Sequence, residues 1–181
     1  MDQERAWIEQ ALQGDREAFG RLVRAYERPV YNLTYRMLGD PAEAEDAAQE
    51  TFLRAYTKLA TYQPSRKFVN WLLSIASHHC IDRLRRRNRA PQLSLDGPLP
   101  PLWLASDAPQ PEQVVNKQEA RAEIRGLLDT LPPDYRSAIV LRYWYNLSYE
   151  EIADVMNSTE SAIKSRLHRA RRMMAAGMQA A

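Results

Sequence analysis

The chain of 181 residues lacks, or has few of, several sequence features that would assign a protein to a particular functional class. Cys80 is the only cysteine, so an internal disulfide is excluded, which fits a reducing compartment. The six glycines are scattered and form no phosphate-binding loop. The N-terminus lacks an apolar signal core, and no apolar run is long enough to cross a bilayer. We therefore expect a soluble, cytoplasmic protein with no membrane insertion.

Groups with catalytic or metal-binding chemistry are also sparse. No serine, histidine and acidic residue occur in a sequence context that supports nucleophilic catalysis. His78, His79 and Cys80 are consecutive, and consecutive residues of a helix point in different directions, so they cannot close a metal site together. We predict no metal, no cofactor and no enzymatic activity.

The charge that is present is unevenly distributed. The net charge is only +2, but five carboxylates and no base lie between Asp40 and Glu50, whereas five arginines lie between Arg83 and Arg89. This distribution indicates two kinds of partner, one basic and one anionic. The acidic segment could instead be a solvated helix face, and the pattern alone leaves both interpretations open.

Proline marks the boundary between two parts of the chain. Six of the eleven prolines lie between Ala90 and Asn116, and proline disfavours both helix and central strand. We predict a flexible, acidic linker over residues 90–116, which joins one helical domain at 1–89 to another at 117–181. No segment shows the alternation of a strand, so the predicted fold class is all-α.

The first domain is predicted to contain three long helices. Asp15 can cap the first, which Pro29 would bend or interrupt and which Gly39 ends; Asp40 can cap the second, with Pro41 at its first position. The second helix is expected to bury Ala44, Ala48, Phe52, Tyr56 and Leu59. A loop from Thr61 to Arg66 precedes a third helix, from about Lys67 to Arg87, which is expected to bury Trp71, Leu72, Ile75 and Ile81.

The second domain ends in two short helices around a turn. A helix from about Lys117 would stop at Pro132-Pro133, and Asp134 can start another. Ser148 and Glu151 have the spacing of a capping box. Asn157 would make the turn, and Ser158 would cap the last helix.

The last helix has two chemically different faces. Ile163, Leu167, Ala170 and Met174 share one side, and Lys164, Ser165, His168 and Arg172 share the other. A buried stripe opposite a cationic one, after a capped helix and a turn, is typical of a reader of the DNA major groove. The alternative is an ordinary amphipathic helix with a solvated basic face.

The arginine run lies at the end of a helix that begins with aromatic residues. The helix dipole accounts for one or two cations there, but not for five, so a phosphate backbone is the simpler explanation. Aromatic rings beside cations suit unstacked single-stranded bases. For Trp71, packing in the core is the stronger alternative.

Four blocks of the sequence resemble a known family. They are AFGRLVRAYERPVYNLTYRMLGD, AEDAAQETFLRAY, FVNWLLSIASHHCIDRLRRR and LPPDYRSAIVLRYWYNLSYEEIADVMNSTESAIKSRLHRAR. Together they cover nearly all of the chain outside the linker, in the order found in bacterial sigma factors of the extracytoplasmic-function (ECF) group of the sigma-70 family. The resemblance implies a factor that directs RNA polymerase to promoters and assists DNA opening, in a stress or envelope response.

The resemblance also assigns surfaces to the first domain, which is similar to sigma region 2. The acidic helix would bind the clamp coiled coil of core RNA polymerase through Asp46, Gln49, Glu50 and Leu53. Thr61 to Asn70 would correspond to the loop that holds a flipped base of the −10 element. The residues assigned to −10 DNA are Phe68, Asn70, Trp71, His78, Arg83, Arg85, Arg86 and Arg87.

The second domain is similar to sigma region 4, which docks on the polymerase flap and reads the −35 element. The residues assigned to −35 DNA are Lys164, Ser165, Arg166, His168 and Arg169. The linker would pass through the polymerase channels, and an anti-sigma protein would hold the factor inactive. The sequence departs from the family where His78 replaces Asn, where Ser161-Ala162 replaces Gly-Thr, and where Asn157 replaces Gly. The competing interpretation is a stand-alone helix-turn-helix repressor or activator.

Overall fold

A computed structural model describes residues 2–89 and 122–180, and all the regular structure in these ranges is helical, which confirms the all-α fold class. The predicted linker and the predicted helix start near Lys117 lie outside the described residues. The helices are α1 (Asp2–Leu12), α2 (Arg16–Leu38), α3 (Pro41–Thr57), α4 (Phe68–Arg89), α5 (122–129), α6 (Pro133–Trp144), α7 (Tyr149–Val155) and α8 (Glu160–Ala180). A short 3₁₀ turn, Leu59–Thr61, follows α3.

The helix ends of the first domain follow the predicted capping chemistry. The Asp15 carboxylate accepts from the backbone N–H groups of Glu17 and Ala18, and the Asp40 carboxylate accepts from that of Glu43. Gly39 ends α2 at a φ of 82°, a left-handed conformation that glycine adopts at little cost. Pro29 lies inside α2 without interrupting it.

The buried face of α3 consists of small residues and differs in part from the predicted one. Ala44, Ala48 and Leu59 are buried as predicted, but Tyr56 is 39% exposed and Phe52 is half-buried. The core contacts come from Ala44, Ala47, Ala48, Thr51 and Ala55. Small side chains allow close packing of α3 on its neighbours, so the large rings are displaced to the edge, where Tyr56 packs edge-on against Phe19.

Helix α4 packs on α2 and α3 in the first domain. Its buried residues include Phe68, Leu72, Leu73, Ala76, Ser77, Cys80, Ile81 and Leu84. Leu72 and Ile81 are therefore buried as predicted, but Trp71 and Ile75 are only half-buried. The buried stripe passes through positions 72, 73, 76 and 80, which places these two side chains at its edge.

The helix-turn-helix pair of the second domain forms largely as predicted. The capping box is present, with Ser148 Oγ accepting from Glu151 N at 3.1 Å and Ser148 N donating to the Glu151 carboxylate at 2.9 Å. Asn157 has a φ of 48° at the turn. The predicted cap at Ser158 is wrong: α8 begins one residue later, so Thr159 Oγ1 accepts from Ala162 N, while Ser158 N donates to the Ala153 carbonyl.

The two domains pack on each other through α6, which contacts α2 and α4, and through α7, which contacts α4. Ser77 and Ser137 share a buried hydrogen bond with an Oγ–Oγ distance of 2.5 Å. Arg136 Nη1 donates to the carbonyl of Met37 at 2.7 Å, and the Tyr145 hydroxyl donates to that of Pro29. Residues 136–141 are all buried because α6 is covered by the first domain on one side and by α7 and α8 on the other.

Candidate nucleic-acid interface

The outer face of α3 is acidic and has an exposed apolar residue at its end. Asp46 and Gln49 are exposed, and Leu53 is 60% exposed. Glu50 is half-buried and accepts a hydrogen bond from Arg54 Nε at 2.6 Å, which lowers the pKa of the carboxyl. Since the buried alanines occupy the opposite side of α3, these four residues form one accessible surface, which we call the acidic surface.

The arginine run is partly neutralised inside the molecule. Arg83 lies 3.8 Å from the Glu43 carboxylate and 3.9 Å from that of Asp46, and Arg87 lies 3.8 Å from Glu43. Arg85 contacts Asp134 of α6 at 2.8 Å. The acidic and basic segments, which the sequence suggested were separate surfaces, are thus neighbours. Arg86 is exposed.

The start of α4 is built around an aromatic cluster. Phe68 is only 2% exposed and packs against the rings of Tyr26, Tyr62 and Trp71, with centroids 5.3 to 5.6 Å apart. The Phe68 ring therefore lies beneath the solvent-exposed residues at the start of α4. It would have to leave the aromatic cluster to contact a base. Trp71 is half-buried at the edge of the cluster.

Tyr62 is a member of this cluster that the sequence analysis missed. Its hydroxyl donates to the carbonyl of Arg66 at 2.6 Å and so closes the loop before α4. The sequence feature that could have identified Tyr62 is that it is an aromatic residue, two positions before Pro64, in an otherwise polar loop. We define the loop surface as the loop from Thr61 to Arg66 together with Lys67, Asn70, Trp71 and His78.

Two polar residues of the loop surface contact the second domain. Lys67 Nζ lies 2.8 Å from Glu151 Oε1, and Asn70 Nδ2 donates to the same oxygen at 3.3 Å. Asn70 Oδ1 is buried and has no hydrogen-bond partner among the described residues. These bonds, with that from Ser148, lower the pKa of Glu151 to about 2.

His78 is exposed and has a defined orientation. Its Nδ1 lies 2.7 Å from the carbonyl oxygen of Ser74. Because a carbonyl only accepts, Nδ1 carries the proton in this bond, and Nε2 of the neutral ring is left as an acceptor. His78 can therefore accept a hydrogen bond from a nucleobase.

The two residues after His78 have different environments. His79 is half-buried beside a cavity of 190 Å³ that it lines with Arg83 and Arg86, and burial and the nearby Arg54 lower its pKa. Cys80 is buried, and burial raises the pKa of its thiol to about 12. Within residues 2–89 and 122–180, no three His, Cys, Asp or Glu side chains are placed to hold a metal ion.

The face of α8 that was assigned to −35 DNA is open to solvent. Lys164, Ser165, His168 and Arg169 are exposed, and Arg166 is half-buried. Lys164 forms an ion pair with Glu160 one turn earlier, at 2.8 Å. The opposite face, with Ile163, Leu167 and Ala170, is buried, and Met174 is half-buried. The predicted division of this helix into a core face and a basic face is confirmed.

Two sigma-70 family profiles match the chain, and together they span most of it. The family profile "Sigma-70 region 2" matches residues 22–90, and "Sigma-70, region 4" matches residues 121–174. The ECF RNA polymerase sigma factor SigW of Bacillus subtilis (strain 168) is 37% identical over 171 residues, which cover 91% of this chain and 90% of SigW.

Solved structures agree in fold. The structure of CnrH in complex with the cytosolic domain of CnrY has a TM-score of 0.70 at 24% identity, covering 99% of each chain. The sigma factor RpoE in complex with the anti-sigma factor NepR from Bartonella quintana has a TM-score of 0.64 at 22% identity, covering 86% of this chain and 93% of RpoE. Among the described helices, none has the length and apolar character needed to cross a bilayer. On the two profile matches and the similarity to SigW, the chain belongs to the ECF group of the sigma-70 family and is a sigma factor, which directs RNA polymerase to promoters at transcription initiation.

Proposed function

We propose that the chain contacts core RNA polymerase through the acidic surface and promoter DNA through two further surfaces, the loop surface and the basic face of α8. One observation carries this proposal. Leu53 is 60% exposed and lies on the same side of α3 as exposed Asp46, while the other side of the helix is buried. An exposed leucine beside carboxylates offers an apolar anchor and an acidic rim, which fits a partner with a basic rim. The similarity to sigma region 2 makes the clamp coiled coil of core RNA polymerase the proposed partner.

The loop surface is suited to bind an unpaired base of the −10 element. Trp71 offers a partly exposed ring for stacking, His78 offers an acceptor, and Lys67 offers a cation. Extruding a base from the duplex costs a few kcal/mol, and stacking on an aromatic ring returns about 1–3 kcal/mol per base. Arg86, exposed further along α4, would bind the adjoining phosphates.

The basic face of α8 is suited to enter the major groove of the −35 element. The short helix α7 and the turn at Asn157 hold α8 so that its buried stripe faces the domain and its cations face outward. Lys164, Ser165, Arg166, His168 and Arg169 are the proposed contacts. The rest of the second domain would dock on the polymerase flap.

Three further features follow from the family. The factor acts without catalytic chemistry of its own, and it works in the cytoplasm, where the polymerase is. It is held inactive by an anti-sigma protein until a stress or envelope signal arrives. The structure of RpoE with its anti-sigma factor NepR supports this last part of the proposal, because a chain of the same fold forms such a complex.

Asp46→Arg tests the polymerase contact. The substitution places a cation in the acidic surface, so we expect binding to core polymerase to be lost and run-off transcription from a promoter library to fall to background. Glu27→Arg, at an exposed position of α2, makes the same change of charge elsewhere and should leave both readouts unchanged. Unchanged affinity of the Asp46 variant would refute the assignment, and a wild-type chain that binds DNA but not polymerase would favour a stand-alone repressor.

A further inference from the structure

A cavity lies on the side of α4 that faces α3. It has a volume of 190 Å³ and is lined by His79, Arg83 and Arg86. These residues are four and three positions apart, so they share one face of the helix. Arg83 also lies near the carboxylates of Glu43 and Asp46, which belong to α3. Two guanidinium groups and an imidazole thus surround one space at the boundary between the two helices.

The ring of His79 has a buried nitrogen that needs a partner. Its Nε2 is buried and forms no hydrogen bond with any described residue. A polar atom that is buried without a partner is costly, so a native protein keeps one only where something outside the chain satisfies it or where it has a function. Because His79 lines the cavity, a molecule bound there can supply the missing hydrogen bond.

The charges around His79 favour an anion. Burial lowers the pKa of His79, and the nearby Arg54 lowers it further. Arg83 and Arg86 act in the same direction, and the Glu50 carboxylate opposes them. Glu50 is bound by Arg54 Nε at 2.6 Å, so its charge is balanced by that contact. The field at the cavity is therefore positive, which disfavours a metal cation and favours a negatively charged ligand.

The two arginines of the cavity are available to a ligand. Arg83 lies 3.8 and 3.9 Å from its two carboxylate neighbours, which is longer than a hydrogen bond. Arg86 is exposed and forms no ion pair with a described residue. Both guanidinium groups can therefore turn towards a bound anion without breaking a direct hydrogen bond to a carboxylate.

This set of donors fits a phosphate group. Arginine binds phosphate oxygens through its fork of N–H groups, and a protonated Nε2 of histidine adds another donor. A carboxylate has two oxygens in one plane, whereas a phosphate presents oxygens in several directions and can meet three side chains at once. Since Nε2 of His79 is buried, the ligand must enter the cavity. A free or terminal phosphate can do so, but a phosphate of the DNA backbone carries a sugar on each side.

We propose that His79, Arg83 and Arg86 form a binding site for a doubly charged phosphate group, either inorganic phosphate or the terminal phosphate of a larger molecule, in the cavity between α3 and α4. The bound phosphate accepts hydrogen bonds from Nε2 of His79 and from both guanidinium groups. The site is separate from the contacts proposed for polymerase and promoter DNA, although Arg86 also belongs to the latter.

Nuclear magnetic resonance of the histidine rings tests the site in the full chain. The ring signals of His78, His79 and His168 are followed against pH, with and without inorganic phosphate at constant ionic strength. An anion beside the ring favours the charged imidazolium, so phosphate should raise the pKa of His79 by about one unit. The exposed rings of His78 and His168 should change little. An unchanged pKa for His79, or equal rises for all three rings, would overturn the inference.

Substitution of His79 separates binding from folding. His79→Phe keeps a planar ring but removes the donor, so the affinity for inorganic phosphate, measured by isothermal titration calorimetry, should fall about tenfold. The melting temperature should stay the same or rise, because an unpaired buried nitrogen is removed. His79→Gln, which retains an N–H donor, should recover part of the affinity. Full affinity in His79→Phe would overturn the inference.

Substitution of an exposed arginine provides a test that leaves the core untouched. Arg86→Ala should lower the affinity for inorganic phosphate about fivefold, as expected for one partly screened charge contact. The matched control is Arg28→Ala, which removes the same charge from an exposed position of α2 and should leave the affinity within about twofold. Equal losses in the two variants would overturn the inference, because phosphate would then be responding to net charge.

Other anions define the ligand. Acetate at the same concentration should leave the pKa of His79 unchanged, and an equal response to acetate would contradict a phosphate site. A short strand of thymidines with a 5′-phosphate should raise the pKa of His79 if larger molecules enter, whereas a response to inorganic phosphate alone would identify the free ion as the ligand. The same strand without its 5′-phosphate should have no effect, and an equal effect would overturn the exclusion of backbone phosphates. All these measurements use the free chain, so their outcome is independent of the contacts proposed with polymerase and promoter DNA.

Discussion

The two surfaces proposed for DNA differ in what the rest of the chain does to them. On α8 the basic face is exposed, and the ion pair that it forms among the described residues, Lys164–Glu160, lies within the helix. At the start of α4, Lys67 and Asn70 are bound to a residue 84 and 81 positions away, in another domain. A surface that looks equally available in the sequence can therefore be open in one domain and occupied in the other.

The physical cause of the difference is the position of each helix in the fold. Among the described residues, α8 packs through its buried stripe against α6 and α7, and its basic face is exposed. Helix α4 lies between α2 and α3 on one side and α6 and α7 on the other. Asn70 is half-buried in that contact, and its amide nitrogen donates to Glu151 there, because unpaired polar groups are costly to bury.

The largest expected effect comes from breaking the contact between the domains at its buried end. Arg136→Ala removes the donor to the Met37 carbonyl and the partner of Asp129, 2.8 Å away. We expect the free energy of unfolding to fall by about 3 kcal/mol, the lower end for a broken buried ion pair, because Asp129 is half exposed. Urea denaturation measures this. Arg142→Ala, which removes a hydrogen bond within the second domain, should cost less, and equal costs would argue against a tight interface.

The next effect separates base contacts from phosphate contacts. Arg169→Ala should weaken binding of the holoenzyme to a matched −35 element by about 1–3 kcal/mol and relax its sequence preference, if the guanidinium contacts a base edge. Arg86→Ala, on α4, should weaken binding to all sequences alike. It should also reduce the slope of log K against log salt concentration by about one. Binding to −35 variants over a series of salt concentrations distinguishes the two. An Arg169 variant with a uniform loss would have to be reassigned to the backbone.

A smaller effect concerns α7, the helix that carries Glu151. Ser148→Ala removes the hydroxyl that accepts from Glu151 N, so α7 should lose about 1 kcal/mol of stability. Thermal unfolding of the full chain measures this, with Ser161→Ala, at an exposed position of α8, as the comparison. Equal melting temperatures for the two variants would show that the capping box does not stabilise α7.

The smallest effect is expected from pH. The pKa of Glu151 is lowered by hydrogen bonds from Lys67, from the backbone of Ser148 and from Asn70, so the carboxylate stabilises the folded chain above its ordinary pKa of 4.5. That stabilisation is lost as the pH falls from 4.5 towards 2. Lys67 is 72% exposed, so solvent screens the pair and the change should be modest. Stability followed by urea denaturation should depend less on pH in Glu151→Gln, and identical profiles would contradict the assignment.

Much of the fold could be predicted because local rules decide it. Asp15, Asp40 and Ser148 cap helices, since a short polar side chain before an apolar repeat satisfies orphan N–H groups wherever it occurs. The cap was predicted at Ser158 but is Thr159. Two adjacent hydroxyl residues are equally good candidates for a cap until the first residue of the helix is known. Tyr56 was assigned to the wrong environment because periodicity gives the direction of a side chain and not the space available to it.

The candidate surfaces could be predicted less completely. The sequence alone predicted the acidic and basic segments, the basic face of α8 and the family. Phe68 was predicted as a DNA contact but lies in the core, and Tyr62 was missed, because each depends on which residues the loop and α4 meet in three dimensions. The site residues themselves stay predictions until the binding experiments are made.

Local sequence accounts for most of the helices, for their caps, for the separation of charge and for the two faces of α8, because these follow from interactions within a few turns of chain. The packing of the helices is what buries Arg136 against α2, places Arg83 beside Glu43, and brings Glu151 to Lys67 and Asn70. These contacts join groups far apart along the chain, and whether they form depends on how whole helices pack, which no local pattern encodes.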